Sequence, residues 1–311
     1  MSETLESTGV DPGGRVEEVV AAALARCAKA LERDGTKHWR VTFCADPAVA
    51  GTAELTAGWL ILDSPVPRQP HENAIPVSPA IEHYPLLNPR LTGGAKYLLL
   101  AHETTVRLRA EIPLDVRTRS GDKAMAARVE AGCGALVTGL SAAAGETLQT
   151  PGERGAETPP LDLASLLEEA GWPCLNRSDH SFQVELEVKD RLLYQASVER
   201  LPAGIRLWVC LVCFERDAPL PVRLALSALL LRAGGSVRMA RGSVRQTQQG
   251  LATGFDALFP GTCGAAELAH GLSALSVACD LFGREVEALA RDAALAERYL
   301  SMCFTREHGA G

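Results

Sequence analysis

The sequence has little that would tie the protein to a membrane, to nucleic acid or to export. No apolar run approaches the ~18 to 20 residues that a membrane-spanning helix requires. The 31 basic residues are outnumbered by 38 acidic ones and are scattered, so the basic stripe that a phosphate backbone requires is missing. The first residues are acidic and lack the basic and apolar regions of a signal peptide. We therefore expect a cytoplasmic protein that neither inserts into a membrane nor binds nucleic acid.

The sequence also lacks a recognisable catalytic group of residues. None of the seven histidines has an i+4 partner on a predicted helix. The run Ser178-Asp179-His180 places a hydroxyl, a carboxylate and an imidazole side by side, but a catalytic triad is assembled from distant positions, so a polar turn is predicted there. The run Thr92-Gly93-Gly94-Ala95-Lys96 has neither the spacing of a phosphate-binding loop nor the helix that should follow it. We predict no enzymatic activity and no cofactor.

The nine cysteines are predicted to be reduced and mostly buried, because a disulfide framework belongs to smaller domains in oxidising compartments. Cys210 and Cys213 have the CxxC spacing of a zinc or redox site. Residues three apart on a regular strand point to opposite faces, so the two sulfur atoms are expected to lie apart and to share no metal.

A repeated pattern organises the chain. An Ala-Ala-x4-Gly-x2-Ala-Leu helix signature begins at Ala126 and again at Ala265, 139 residues later (265 − 126). A glycine pair begins at Gly93 and again at Gly234, 141 residues later (234 − 93). Small residues shared by chance in an alanine-rich chain are the alternative explanation. A tandem duplication is favoured, and 311 residues suit two domains of ~150 residues each.

The first predicted domain spans residues 15–140. Apolar residues at helical spacing predict a helix over 15–34, and the closing helix covers about 123–140. Alternating apolar residues predict strands at 39–45, 54–62, 96–102 and 105–112. Seven prolines within 64–89 predict a long surface loop in place of a middle helix. Residues 141–160, rich in Gly, Thr, Glu and Pro, are predicted to link the two domains.

The second predicted domain spans residues 161–303 and repeats the plan with a middle helix. Its predicted elements are a helix at 161–170, strands at 181–189, 191–200 and 205–214, a helix at 221–233, two strands within 236–259, and a helical region at 264–303 with a weak point at Gly283.

The strand at 205–214 is apolar on both faces. Its alternating residues place Trp208, Val212 and Phe214 together on the face opposite Leu207. A strand with two apolar faces does not leave one in water without cost, so something must cover this face. We predict that Trp208, Val212 and Phe214 contact either the other domain or a partner polypeptide.

The second half resembles the small α+β fold of class I type III secretion chaperones and the related YbjN-type proteins. The resemblance is carried by Leu163-x2-Leu166-Leu167 with Gly171-Trp172, by the alternating strand that begins at Phe182, and by the order of elements over 161–303. The first half follows the same plan except for its proline loop. The resemblance implies two similar α+β domains, each an antiparallel sheet of about five strands flanked by helices.

The resemblance also implies a function. Members of this family are usually homodimers that bind extended segments of other proteins and are not enzymes. Two copies in one chain would form a monomeric pseudo-dimer, or a homodimer, that binds a protein client as a chaperone or adaptor. Two alternatives stay open: an enzyme or small-ligand-binding regulator with a pocket between the halves, and a structural module whose halves only hold each other.

Overall fold

A computed structural model of the protein describes residues 12–67, 79–101, 103–114, 121–145, 162–177, 181–189, 192–202, 204–248 and 250–304. These residues contain two antiparallel six-stranded sheets, flanked by helices. The predicted α+β class with two sheet domains is confirmed, and each sheet has six strands rather than about five. No helix in the described ranges combines the length and the apolar character that crossing a membrane requires.

The first sheet has the strand order β1-β2-β3-β4-β6-β5. Its strands are Ala28–Arg33 (β1), His38–Phe43 (β2), Val49–Thr56 (β3), Trp59–Pro65 (β4), Ala95–Leu98 (β5) and Arg107–Pro113 (β6). The helices of this half are Pro12–Cys27 (α1), His83–Leu87 (α2) and Asp122–Ala143 (α3). The third helix therefore continues three residues into the predicted linker, whose remainder lies almost entirely outside the described residues.

The start of the first half differs from the prediction. The helix predicted over 15–34 ends at Cys27, and the next six residues form β1, which pairs with β2 in the register Leu31↔Val41. Pairing with a neighbouring strand overrides the helical propensity of this alanine-rich, charged segment. The single strand predicted at 54–62 is a hairpin, because Ala57 and Gly58 both have positive φ (+41° and +82°) and form its two-residue turn.

The prediction that the proline-rich segment contains no helix is wrong. Residues 68–78 of that segment lie outside the described residues, but the short helix α2 and a following 3-10 turn, Asn88–Arg90, occupy its end. Pro85 lies in the first turn of α2. The backbone N–H groups of a first turn have no partner within the helix, so proline removes no bond there.

The second sheet repeats the strand order of the first. Read from the edge strand β7 it is β7-β8-β9-β10-β12-β11, in which each strand takes the place of its counterpart in the first sheet. Its strands are Cys174–Arg177 (β7), Ser181–Glu187 (β8), Leu193–Leu201 (β9), Gly204–Phe214 (β10), Arg241–Thr247 (β11) and Gly250–Phe259 (β12). The helices are Leu163–Glu169 (α4), Leu220–Ser236 (α5), Ala265–Arg291 (α6) and Ala293–Phe304 (α7).

The helix signature of the repeat has a packing function in both halves. Gly132 on α3 and Gly271 on α6 lie 139 residues apart, and a Cβ on either would overlap a side chain of the adjacent strand, Ile112 or Phe259. Both glycines therefore let the closing helix approach its own sheet. The two glycine pairs, by contrast, are not equivalent: Gly93 precedes β5, whereas Gly234 lies inside α5.

The helical region at the end of the chain breaks at Asp292, between α6 and α7, and not at the predicted Gly283. Gly283 is buried inside α6, where a Cβ would lie 2.6 Å from the hydroxyl oxygen of Tyr194. The glycine thus makes room for a tyrosine of the sheet and does not weaken the helix enough to end it.

Helix α5 joins the two halves. Its Leu226, Leu229 and Leu230 belong to the core of the second half, while Ala228 and Leu231 belong to the core of the first. A helix that is apolar on all sides is stable only when it is buried on all sides. The cores of the two halves therefore meet at this helix.

Candidate functional site: a cleft between the two halves

Two buried ion pairs occupy matching positions in the two sheets. Lys96 Nζ on β5 lies 2.8 Å from Glu111 Oε2 on β6. Arg241 on β11 binds both carboxylate oxygens of Asp256 on β12, at 2.8 and 2.6 Å. The two cations are 145 residues apart (241 − 96), as are the two carboxylates (256 − 111). The ion pairs are thus counterparts in the repeat.

Each of these cations also binds the backbone of the opposite half. Lys96 donates to the carbonyl oxygens of Val237 and Ala240 at 2.9 and 3.3 Å. Arg241 donates to those of Leu91 and Ala95 at 2.9 and 3.4 Å. The residue that precedes each cation accepts a hydrogen bond from the other cation. This reciprocity is the mark of a two-fold axis, here relating two halves of one chain.

The environment of Lys96 differs from that of the lysine in a phosphate-binding loop. Burial lowers the pKa of Lys96, and the adjacent Glu111 carboxylate opposes that shift. The ammonium group has three acceptors for its three N–H bonds, one carboxylate and two carbonyl oxygens. Its donors are therefore used within the protein, to hold the two halves together.

A third ion pair lies on the pseudo-two-fold axis. Arg128 on α3 and Glu267 on α6 are equivalent positions of the repeat, 139 residues apart (267 − 128), and their side chains approach to 2.8 Å. Two equivalent residues touch each other only close to the axis that relates them. The axis thus carries opposite charges where two identical subunits would place the same charge twice.

A cavity of about 630 Å³ opens between the halves beside this ion pair. Small residues on one side of α3, Ala124, Ala127 and Ala131, form part of its wall and leave the space. The opposite wall comes from the end of β12 and the loop after it, including Leu258 and Phe259. The volume lies within the ~300–1,000 Å³ of typical small-molecule sites.

The residues Gly94 and Met239 line this cavity and are again 145 positions apart. Both have left-handed backbones, with φ of +74° and +65°. At Gly94 a Cβ would lie 2.6 Å from the carbonyl oxygen of Glu111, so the position excludes larger residues. At Met239 the conformation is held by a backbone N–H that donates to Glu111 Oε2 at 2.7 Å.

The chemistry of the cavity is mainly apolar. Four of its lining residues are charged, namely Glu111, Arg128, Arg241 and Glu267, and each of them has an ion partner. Trp59 lines the cavity too, with the Arg238 guanidinium 5.7 Å from its ring centroid. An apolar molecule can occupy such a site without displacing a charge from its partner, whereas an ion cannot be neutralised there without opening a pair.

The predicted surface of Trp208, Val212 and Phe214 is not a single face. Trp208 pairs with Asp256 of β12, whereas Val212 pairs with Thr253, three residues earlier on the same unbroken strand. Residues three apart on a strand point to opposite faces, so Trp208 and Val212 do as well. The cause is a β-bulge between residues 210 and 212, which shifts the register of β10 by one residue.

The surroundings of these residues are those of packed side chains. Trp208 is 7% exposed, and the guanidinium of Arg245 lies 5.2 Å from its ring centroid. Val212 and Phe214 are half-buried against the core of the second half. Arg206, on the same face as Trp208, donates to the carbonyl oxygen of Pro89 in the first half at 2.7 Å.

The same bulge corrects the prediction for the CxxC sequence. Cys210 pairs with Gly254 and Cys213 with Ala252, so both cysteines point to one face and their sulfur atoms lie 3.6 Å apart. Among the described residues no group of three or more His, Cys, Asp or Glu side chains is placed to hold a metal ion. The polar turn predicted at 178–180 lies outside the described residues.

A pocket between the halves was one of the alternatives that the sequence left open, but no residues were assigned to it, although a signal for them was present. Extending the offset of 139 from the small residues to the charged ones would have matched Arg128 with Glu267. Comparison with models of protein families and with curated proteins finds no match for the chain. The functional proposal therefore rests on the geometry of the cleft.

Proposed function

We propose that this protein is a non-enzymatic regulator that binds a small, mainly apolar molecule between its two halves. The observation that supports the proposal is the cavity of about 630 Å³ on the pseudo-two-fold axis, with walls from both halves. Pockets of this size and composition, with a few polar groups at fixed positions, are the common form of small-molecule sites.

The polar groups of the cleft indicate how such a molecule would be oriented. The Arg128–Glu267 pair is more exposed than the other two, at 36% and 21% of the side chains, so it can open at the least cost in desolvation. The Lys96–Glu111 and Arg241–Asp256 pairs are almost fully buried. A ligand with an apolar body and one polar group would fit, with that group next to Arg128 or Glu267.

Occupancy of the cleft would act on the contact between the halves. A ligand that binds only the folded form stabilises it by ~2.7 kcal/mol when its concentration is a hundred times its Kd. Because the walls come from both halves, this stabilisation would include the interface around α5. Such a response is what a ligand-dependent regulator requires.

The experiment fills the cavity and measures binding of a defined probe, N-phenyl-1-naphthylamine, an uncharged apolar molecule with one polar N–H group. Ala127→Trp places an indole in the wall, and Thr138→Trp adds the same group at an exposed position of α3 away from the cavity. We expect the wild type and Thr138→Trp to bind one probe per chain, and Ala127→Trp to lose binding at least about tenfold. Equal binding by all three folded proteins, or none by the wild type, would contradict the proposal.

A second candidate function, binding of a protein client as a chaperone or adaptor, follows from the resemblance and is favoured by one surface. Val277 and Leu281, one turn apart on α6, are 48% and 57% exposed. Apolar side chains at i and i+4 form a contact stripe that an extended or helical segment of a client can cover.

That candidate is tested by replacing Val277 and Leu281 with serine and comparing the proteins that crosslink to each form in its native cell. Met302→Ser on α7 is the control, because Met302 is the more exposed apolar residue, at 76%, and lies on a different helix. A client that binds α6 should be lost from the double variant and kept by the control. Identical crosslinked proteins for all three forms would rule out this surface.

A further inference from the structure

The CxxC sequence of β10 forms a dithiol on one face of the second sheet. In a regular strand Cys210 and Cys213 would point apart, but the bulge between 210 and 212 brings their sulfur atoms to 3.6 Å, which is van der Waals contact. Both residues are exposed to solvent. Two exposed thiols whose sulfur atoms are in contact are positioned to react with each other.

We propose that Cys210 and Cys213 are a reversible dithiol–disulfide site that exchanges with low-molecular-weight disulfides such as glutathione disulfide. In the first step the Cys213 thiolate attacks one sulfur of the small disulfide, forms a mixed disulfide and releases one small thiolate, which takes up the proton that Cys213 lost. In the second step Cys210, after losing its proton to water, attacks the Cys213 sulfur and releases the second small thiolate, which takes up a proton from water. Two protein thiols are oxidised by two electrons, and one small disulfide is reduced to two thiols.

The order of the two steps follows from the surroundings of the thiols. Cys210 is exposed as a residue, but partial desolvation of its thiol group, with the adjacent Cys213 thiol as the next cause, raises its pKa to about 12, so it is almost entirely protonated near neutral pH. The thiolate is the attacking species in exchange. Cys213 is therefore the first nucleophile, and Cys210 acts as the resolving thiol once the mixed disulfide lies beside it.

The experiment treats the full-length protein with glutathione disulfide, quenches with acid, alkylates the remaining thiols and maps the peptides by mass spectrometry. In the wild type the peptide that contains Cys210 and Cys213 should carry neither alkyl group nor glutathione and should lose two hydrogens. In Cys210→Ser, glutathione should stay on Cys213, because no resolving thiol is left. In Cys213→Ser, glutathione should appear on Cys210 more slowly than it appears on Cys213 in Cys210→Ser, because desolvation alone still keeps the Cys210 thiolate scarce.

Two exposed cysteines elsewhere, Cys44 and Cys174, serve as internal controls within the same sample. They should carry glutathione, which proves that the oxidant was active. The resolving step should accelerate about tenfold per pH unit between pH 7 and 9, because the thiolate fraction of Cys210 rises by that factor below its pKa. The proposal is overturned if the wild-type peptide stays fully alkylated or keeps glutathione while Cys44 reacts.

Discussion

Replacing Arg241 with methionine should lower the free energy of unfolding by ~3–5 kcal/mol, the usual cost of removing one partner from a buried ion pair. The side chains of Arg241 and Asp256 are 2% and 0% exposed. Without the guanidinium, the hydroxyl of Ser243, at 2.8 Å, is the one hydrogen-bond donor that the described part of the chain leaves to the Asp256 carboxylate. The carbonyl oxygen of Leu91 in the first half loses a donor as well.

The assay is urea denaturation followed by circular dichroism and by tryptophan fluorescence. Trp39 and Trp59 lie in the first half and Trp172 and Trp208 in the second, so the fluorescence reports on both. Because α5 belongs to both cores, we expect one cooperative transition in the wild type. Agreement of the two signals would confirm that the halves unfold together.

Arg245→Met is the matched control on the same strand. Arg245 pairs with Glu199 at 3.4 Å, the two side chains are 28% and 25% exposed, and the guanidinium also lies over the Trp208 ring, so this substitution should cost ~1–2 kcal/mol. The double variant Arg241→Met/Asp256→Leu should recover part of the loss, because no charge is then left buried without a partner. The reasoning fails if Arg241→Met costs no more than Arg245→Met.

Three further sets of substitutions test the packing between and within the halves. Gly235→Ala should lower the free energy of unfolding by ~1–3 kcal/mol in urea titrations, because its Cβ would lie 2.5 Å from a carbonyl oxygen of the first half. Gly134→Ala on α3, where no atom lies within 4 Å of the new Cβ, should raise it by ~0.5–1 kcal/mol. Arg128→Glu should lower the melting temperature, and adding Glu267→Arg should restore it. If the double variant shows no recovery, the ion pair does not contribute to stability. Trp208→Ala should lower the free energy of unfolding, measured by calorimetry, by ~3–5 kcal/mol. A loss below ~1 kcal/mol would show that the Trp208 side chain contributes little to packing.

The helices and strands in which apolar residues recur at a regular spacing were predictable from the sequence. The alternation in 181–189 and the helical spacing in α1 reflect one buried face, so element type could be inferred without knowing what covers that face. The edge strands β1 and β7 were missed because they are short or helix-prone, and only their pairing with a neighbour makes them strands. The class of fold was therefore accessible, while the number of strands was not.

The candidate site depends on features that the regular spacing of apolar residues does not predict. A one-residue bulge in β10 reversed the faces of Val212 and Cys213 relative to a regular strand, so a correct strand gave an incorrect surface. The lining of the cleft was not predicted, because the alanines on its α3 wall, Ala124, Ala127 and Ala131, carry no charge and no signal that distinguishes them from other helix positions. Its charged residues come from both halves and are brought together only when the halves associate.

The equivalent positions beside the pseudo-two-fold axis hold different residues, and this difference affects how a ligand can be recognised. A chamber built by identical subunits has identical opposite walls, so a ligand on the axis meets the same groups in either of two orientations. Here Gly94 is matched by Met239, and Arg128 by Glu267. A molecule without internal symmetry can therefore be held in a single orientation, with one copy for each chain, which is a selectivity that no pair of identical subunits can provide at such a position.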